Sequence, residues 1–353
     1  MTFQTHALNS RNESELQQFY EIGTSIRNEN PKYGLTWNDE KNIAVIFENS
    51  NLASHLVLVN DGDAKGRLLA FTDSNYPEQG FIGWYECSEN EQVHEALLED
   101  AFSWLKNKGC KTVVGPINGN TWNNYRFNMT ADYPIYPGQP YQPMYYPTFW
   151  KNSGFEPVLN YVTEVPPKSA MQPMSEAELT AILASYQFKA LSLTPEIAAK
   201  YFEKLHAFYH LCFANNPLFH PISLKEYQLI NDRTAAVLSP PHSFLVLDAN
   251  DEVAGIFLSF IDYYYLNYKD TPGVPAEYKT HKLVIKTLAV HPDYRNKQLG
   301  TLMINYIHNV AYKTGYEQVI HASMYVDNIS AKKGKEKFQT EILRTYSLLQ
   351  KEL

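Results

Sequence analysis

Arg295, Lys297 and Gly300 stand close together in HPDYRNKQLGTLMINYIHNVAYKTGY, between an apolar β-type run and an amphipathic helical pattern. Leu299, Leu302, Met303, Tyr306, Ile307, Val310 and Ala311 recur at i, i+3 and i+4, which predicts a helix over 299–314 with one apolar face. The first-turn N–H groups of such a helix have no helical partner and lie at the positive end of its dipole. Gly300 lets the backbone come close to a ligand, and Arg295 and Lys297 add positive charge. The stretch Arg295, Asn296, Lys297, Gln298, Leu299, Gly300 and Thr301 is therefore suited to an anion of pyrophosphate type.

Other groups able to do chemistry are more scattered. Tyr325, Tyr346 and the tyrosines of 263–268 offer hydroxyls, and Asp262 and His281 precede the β run 282–290, which itself contains no Asp or Glu. His206 and His210 share a helix face at i, i+4, with His220 further on, but no Glu is placed as in H-E-x-x-H, so they read as structural or substrate-lining and no metal is expected. Cys87, Cys110 and Cys212 are odd in number and set among apolar residues, which argues for reduced thiols.

The elements that must position these groups repeat. HLVLVNDGDAKGRLLAF (55–71) and HSFLVLDANDEVAGIFLSF (242–260) both read as strand, turn, strand. Each hairpin is followed by a strand, a long amphipathic helix, a glycine and a short β run, with extra residues in the second half that fit the Tyr-rich loop 263–281. The reading after the break is strand 184–190, helices near 195–213 and 223–237, the hairpin, strand 282–290, helix 299–314, strand 318–325, a short helix after Asn328 and a last strand near 340–350. A chain of 353 residues favours two domains, placed at 1–165 and 181–353 with a Pro- and charge-bearing linker at 166–180. The fold class is α/β in the layered α+β sense, each domain a mixed, mostly antiparallel sheet with one parallel crossover, flanked by helices.

Composition narrows the partners. With 44% hydrophobic and 19% charged residues the chain is globular, and a formal charge of −8 gives no field for nucleic acid. No apolar run approaches a membrane span and the first residues carry no leader pattern, so the expectation is a cytoplasmic protein with neither membrane nor nucleic acid as partner.

Val290, Pro292, Tyr294, Arg295, Gln298 and Gly300 resemble the cofactor motif of the GCN5-related N-acetyltransferase (GNAT) superfamily, with Gln298 where that family usually has Gly. Asn328 in MYVDNISA resembles the family's Asn-x-x-Ala element, whereas its tyrosine four residues past the Ala falls at Lys335. The resemblance implies a tandem-GNAT bacterial protein that uses acetyl-CoA and no metal. In it, Leu288, Ala289 and Val290 face the thioester and pantetheine, Arg295 to Thr301 hold the pyrophosphate, and Asn328 holds the arm. It leaves the acid to Tyr325 or another tyrosine, and the base to Asp262, His281 or a water chain. The implied acceptor is a small-molecule or amino-acid-like amine; the alternatives are an acyl-CoA-binding scaffold, or transfer from tRNA, which the negative charge disfavours.

GFIGWYEC (80–87) followed by the acidic Ser88 to Gln92 and helix 93–108 resembles the same motif with its cofactor loop lost, since carboxylates at a helix start repel a phosphate. GPINGNTWNN (115–124) and MYYPTFWKNSGFEPV (144–158) extend that resemblance. The first half is expected to pack on the second as an internal pseudo-dimer, making the chain a monomer or weak homodimer, with Trp122, Tyr125 and Tyr145 walling the acceptor cleft.

Overall fold

The computed structural model describes residues 3–8, 12–29, 43–46, 48, 51–131, 133–295 and 297–353. They divide into two compact units. The first comprises Met1–Pro134, Gly138–Asn160 and Thr345–Leu353, the second Ile135–Pro137 and Tyr161–Arg344.

In the first unit the elements are β1 (His6–Leu8), α1 (Glu13–Asn28), α2 (Ile43–Ile46), β2 (Leu52–Asp61), β3 (Ala64–Asp73), β4 (Gln79–Cys87), α3 (Glu91–Asn107), β5 (Thr112–Gly115), β6 (Phe127–Asn128), α4 (Tyr145–Asn152) and the start of β7 (Glu156–Val165). The strand order is β1-β2-β3-β4-β5 and then the last strand of the chain, β13 (Glu341–Glu352), with β6 also on β13. Among the described residues only β4 and β5 run parallel, and α3 is the crossover between them. Asn90 starts α3 by accepting from the N–H groups of Gln92 and Val93. Val93, Leu97, Ala101 and Leu105 then recur at helical spacing and are buried against β2, β3 and β4, each large apolar side chain contributing about 1.5–3 kcal/mol. Buried Arg67 ties α1 to the sheet, donating to Phe19 O and pairing with Glu86, which Arg27 also holds.

The second unit continues with α5 (Glu176–Ser185), β8 (Lys189–Ser192), α6 (Pro195–Lys200), α7 (Phe202–Phe213), α8 (Leu224–Ala235), β9 (Phe244–Leu247), β10 (Val253–Phe260), α9 (Tyr263–Tyr268), β11 (Lys282–Val290), α10 (Leu299–Lys313), β12 (Gln318–Tyr325) and α11 (Ile329–Phe338). Its strand order is β7-β12-β11-β10-β9-β8, parallel among the described residues only between β11 and β12, with α10 as the crossover. Leu299, Met303, Ile307 and Ala311 of α10 are buried with Leu283, Ile285 and Val319. Both units therefore have the mostly antiparallel sheet with one crossover that the residue pattern predicts.

Three local expectations change. The strand expected at 184–190 begins at Lys189, because the Ser175–Glu178 capping box launches a helix that runs to Ser185. The helix expected over 195–213 breaks at Tyr201 into two. The Tyr-rich stretch 263–281 contains α9, capped by Asp262.

Candidate functional site

The site is built where β11 and β12 part. They share a parallel ladder from Lys282 with Gln318 to Ile285 with His321, and the ladder stops there. Both strands are irregular just beyond. On β11, Lys286 is the extra residue where the register against β10 shifts between Leu258 and Ser259. On β12, the register against β7 shifts between His321 and Met324, with Ser323 at φ +42. A bulge bends its strand and sharpens its twist, which turns the two strands apart into a fork. Leu288, Ala289 and Val290 lie on the β11 prong.

At the tip of that prong Pro292 ends the strand and the chain turns over Pro292–Tyr294. His291 N–H bonds to Ala254 O at 2.9 Å, and the Tyr294 hydroxyl donates to Asp248 Oδ2 at 2.8 Å, tying the turn to the β9–β10 hairpin. The bond to Asp248 raises the Tyr294 pKa. Against the opposing effect of desolvation, the Glu252 backbone and the Tyr294 hydroxyl hold the Asp248 carboxyl below its usual range. Arg295 donates to Val290 O at 3.4 Å and to Cys212 O at 3.3 Å, and the Lys297 ammonium lies over the Tyr294 ring. Asn296 lies outside the described residues.

Gln298 precedes α10 in the left-handed conformation, φ +58, and makes no side-chain cap. The starts of α3, α5 and α8, by contrast, are capped by Asn90, Ser175 and Ser223. A Cβ on Gly300 would meet nothing nearer than Leu288 Cδ2 at 3.8 Å, so the backbone there is open to close approach. Lys337 of α11 reaches to 3.4 Å of Thr301 Oγ1, a third cation beside the helix start that the sequence did not single out. Arg295, Lys297 and Gln298 are exposed and Leu299 is buried, so the charged groups face outward while the helix is anchored below.

The acid and base expected from sequence fare differently. Tyr325 ends β12 with its ring 5.5 Å from that of Tyr161; desolvation, with Asp327 adding to it, raises its pKa, so it stays protonated at neutral pH. Asn328 accepts the Ala331 N–H at 3.2 Å at the start of α11. Asp262, a candidate base in the sequence, sits at the start of α9. Its carboxylate is fully buried, accepts from the N–H groups of Tyr264, Tyr265 and Lys282, and pairs with the Lys282 ammonium at 3.0 Å. Those bonds commit it to capping α9. His281 is stacked between Tyr265 and Tyr316, with ring centroids 4.4 and 4.1 Å away.

His206 donates to Ile222 O, while His210 donates to His206 O and accepts from Ile222 N–H, so both rings bind backbone. Among the described residues no group of three or more His, Cys, Asp or Glu is arranged to hold a metal. Burial pushes the Cys212 thiol up to about 11, with Arg295 opposing, so it stays a thiol near Val290 O. The sequence reading also missed a buried imidazole pair: His308 Nε2 and His321 Nε2 are 3.0 Å apart, and burial holds both rings neutral, His321 down to about 4.

The corresponding place in the first unit is closed by its own chain. Past the last β4–β5 pair, Phe81 with Val114, Ile117 N–H bonds to Ile82 O and Asn118 Oδ1 accepts Trp84 N–H. Cys87 N–H donates to the Tyr146 hydroxyl, and the Tyr145 hydroxyl donates to Cys87 O. Tyr145, expected to line a cleft, is thus bonded to the strand end, and Tyr125 lies under the Arg126 guanidinium.

The acetyltransferase (GNAT) family model matches residues 202–333. Among the similar solved structures, two that match over 99% of this chain have TM-scores above 0.5. One is a tandem GNAT protein from the clavulanic acid biosynthesis pathway, at 12% identity, TM-score 0.51 and 98% of that chain. The other is a conserved protein of unknown function from Enterococcus faecalis V583, at 9% identity, TM-score 0.53 and 73% of that chain. At these identities they speak for the fold. No curated protein matches the chain. Among the described residues no helix is long and apolar enough to cross a membrane.

Proposed function

We propose that this chain transfers an acetyl group from acetyl-CoA to the amine of a small-molecule or amino-acid-like acceptor, a reading supported by the match of residues 202–333 to the acetyltransferase (GNAT) family model. The observation that carries this reading is the start of α10, left without a side-chain cap beside Arg295, Lys297 and Lys337. Unpaired N–H donors at a helix start with three cations around them fit a pyrophosphate.

The donor's thioester brings the acyl carbonyl; the chain has to orient it, stabilise the charge that develops and exclude competing nucleophiles. In this reading the backbone of Leu288 to Val290 faces the thioester and pantetheine, and Asn328 helps to place the arm. With Asp262 committed to its cap and its lysine, the amine enters neutral or gives its proton to water.

Calorimetric titration with acetyl-CoA tests the reading, beside a double variant, Arg295→Ala with Gly300→Glu. Saturable binding that the variant loses is expected, and absence of binding to the unaltered chain would sink the proposal. The engagement of Asp262 and the presence of Lys335 where the family's tyrosine falls favour a second reading, an acyl-CoA-binding protein without turnover. Binding without thiol release across a panel of primary amines would select it.

A further inference from the structure

Ser323 is two residues past the point where β11 and β12 part. Its left-handed φ of +42 is costly for a residue with a side chain, and such positions persist where the surrounding structure forces them. The surroundings are specific. Tyr136 Oη lies 2.9 Å from Ser323 Oγ and 3.2 Å from Thr163 Oγ1, and Ser323 N–H points to Thr163 Oγ1 at 3.4 Å. Tyr136 and Thr163 are fully buried, whereas Ser323 is only partly so. Tyr136 comes from the three-residue segment Ile135–Pro137, which belongs to the second unit although its sequence neighbours belong to the first.

We propose that Ser323 donates a hydrogen bond to the sulfur that leaves the acyl group, with Tyr136 and Thr163 as positioning residues; this rests on the acyl-CoA reading above. Thr163 Oγ1 takes the Ser323 N–H, and in the arrangement the proposal requires it donates to Tyr136 and Tyr136 to Ser323, so the serine oxygen accepts from inside the network and its own proton points out of it. A hydroxyl whose oxygen already accepts a hydrogen bond is a stronger donor, and a sulfur gaining negative charge is the kind of acceptor that rewards one. No proton need be transferred: the thiolate departs held by this bond, and the amine loses its proton to water.

The neighbouring groups are otherwise engaged. The His321 ring faces His308, and the Tyr325 hydroxyl interacts with Asp327. Lys335 is exposed on α11.

The test binds coenzyme A, with its free thiol, to the full chain and follows thiolate absorbance in the ultraviolet as pH rises, with calorimetric affinity measured in parallel. Ser323→Gly removes the hydroxyl and suits the left-handed backbone, so it keeps the fold even where Tyr136→Phe does not. The bound thiol should titrate about one pH unit higher in Ser323→Gly, as expected for loss of one hydrogen bond to an ion, and by part of that in Tyr136→Phe. Affinity at low pH should stay within about threefold in both, since the neutral thiol gains little from the bond. Tyr325→Phe should leave the titration unmoved. An unchanged titration in Ser323→Gly with binding intact, or a shift in Tyr325→Phe alone, overturns the proposal. Failure of the unaltered chain to bind coenzyme A would instead remove the acyl-CoA reading, and this inference with it.

Discussion

The two units solve the same geometric problem in opposite ways. Each has one parallel strand pair that separates after a short ladder, and each follows the first strand of that pair with a loop and a crossover helix. In the first unit the separation is filled: Ile117, Asn118, Tyr145 and Tyr146 bond to β4, and Asn90 caps α3. In the second, α10 keeps its uncapped start, while a register shift marks the first strand of the pair in both units. A helix start is thus either capped by a side chain of its own chain, as in α3, or left without one, as in α10, and the difference turns on a few side chains.

The largest expected effect contrasts two glycines. A Cβ on Gly83 would lie 2.0 Å from the Ile117 carbonyl oxygen, a backbone atom that cannot step aside. Gly83→Ala should therefore destabilise the first unit by roughly 3 kcal/mol or more. Gly300→Ala, with open space around it, should stabilise by up to about 1 kcal/mol through helix propensity while weakening acetyl-CoA binding. Urea denaturation of both variants checks the pair, and equal costs would remove the contrast.

Acid should separate the units next. Burial holds His94 in the first unit, and His308 and His321 in the second, neutral, with His94 and His321 lowered from 6.5 to about 4. The unfolded chain protonates these rings near 6.5, so their contribution is complete above that pH and is lost as pH falls toward 4. The loss is on the order of 3 kcal/mol each for His94 and His321, and the second unit, where burial lowers His242 and His308 as well, should lose more. Hydrogen exchange resolved by unit at about pH 5 and about pH 7 should show it.

Smaller effects concern the strand end and the helix start. Tyr146→Phe leaves the buried Cys87 N–H without its acceptor, at a cost of about 1–3 kcal/mol. No acetyl-CoA binding should appear in the first unit of that variant; a second binding event in calorimetry would break the comparison. Gln298→Gly relieves a left-handed side-chain-bearing residue and should raise stability by roughly 1 kcal/mol without lowering acetyl-CoA affinity, read from thermal melting and titration.

Much of this was legible in the residues. Helical spacing from Leu299 to Ala311 and the hairpins flanking Gly66 and Gly255 are local signals, and so was the acidic loop that set the first half apart. For Asp262, a carboxylate before a β run looks the same in sequence whether or not it caps a helix; its cap on α9 and its pairing with the Lys282 ammonium come from the fold. Tyr136 and Ser323 meet across 187 positions, and Lys337 meets Thr301 across 36, so no spacing rule announces either pair. His308 and His321 pair between a helix and a strand, which no single-element pattern reveals.

Residues 345–353 belong to the first unit, and β13 pairs there with β5 from Leu349 with Gly115 to Glu352 with Thr112. A ribosome makes residues 345–353 after the residues of the second unit. Until then the nascent first half has β5 as an open sheet edge, the kind of surface that recruits wrong partners. Order of synthesis and order of completion therefore differ in this chain: the half that is made first pairs β5 with a strand made after the second unit. Prematurely released chains should betray themselves by aggregation through that older half.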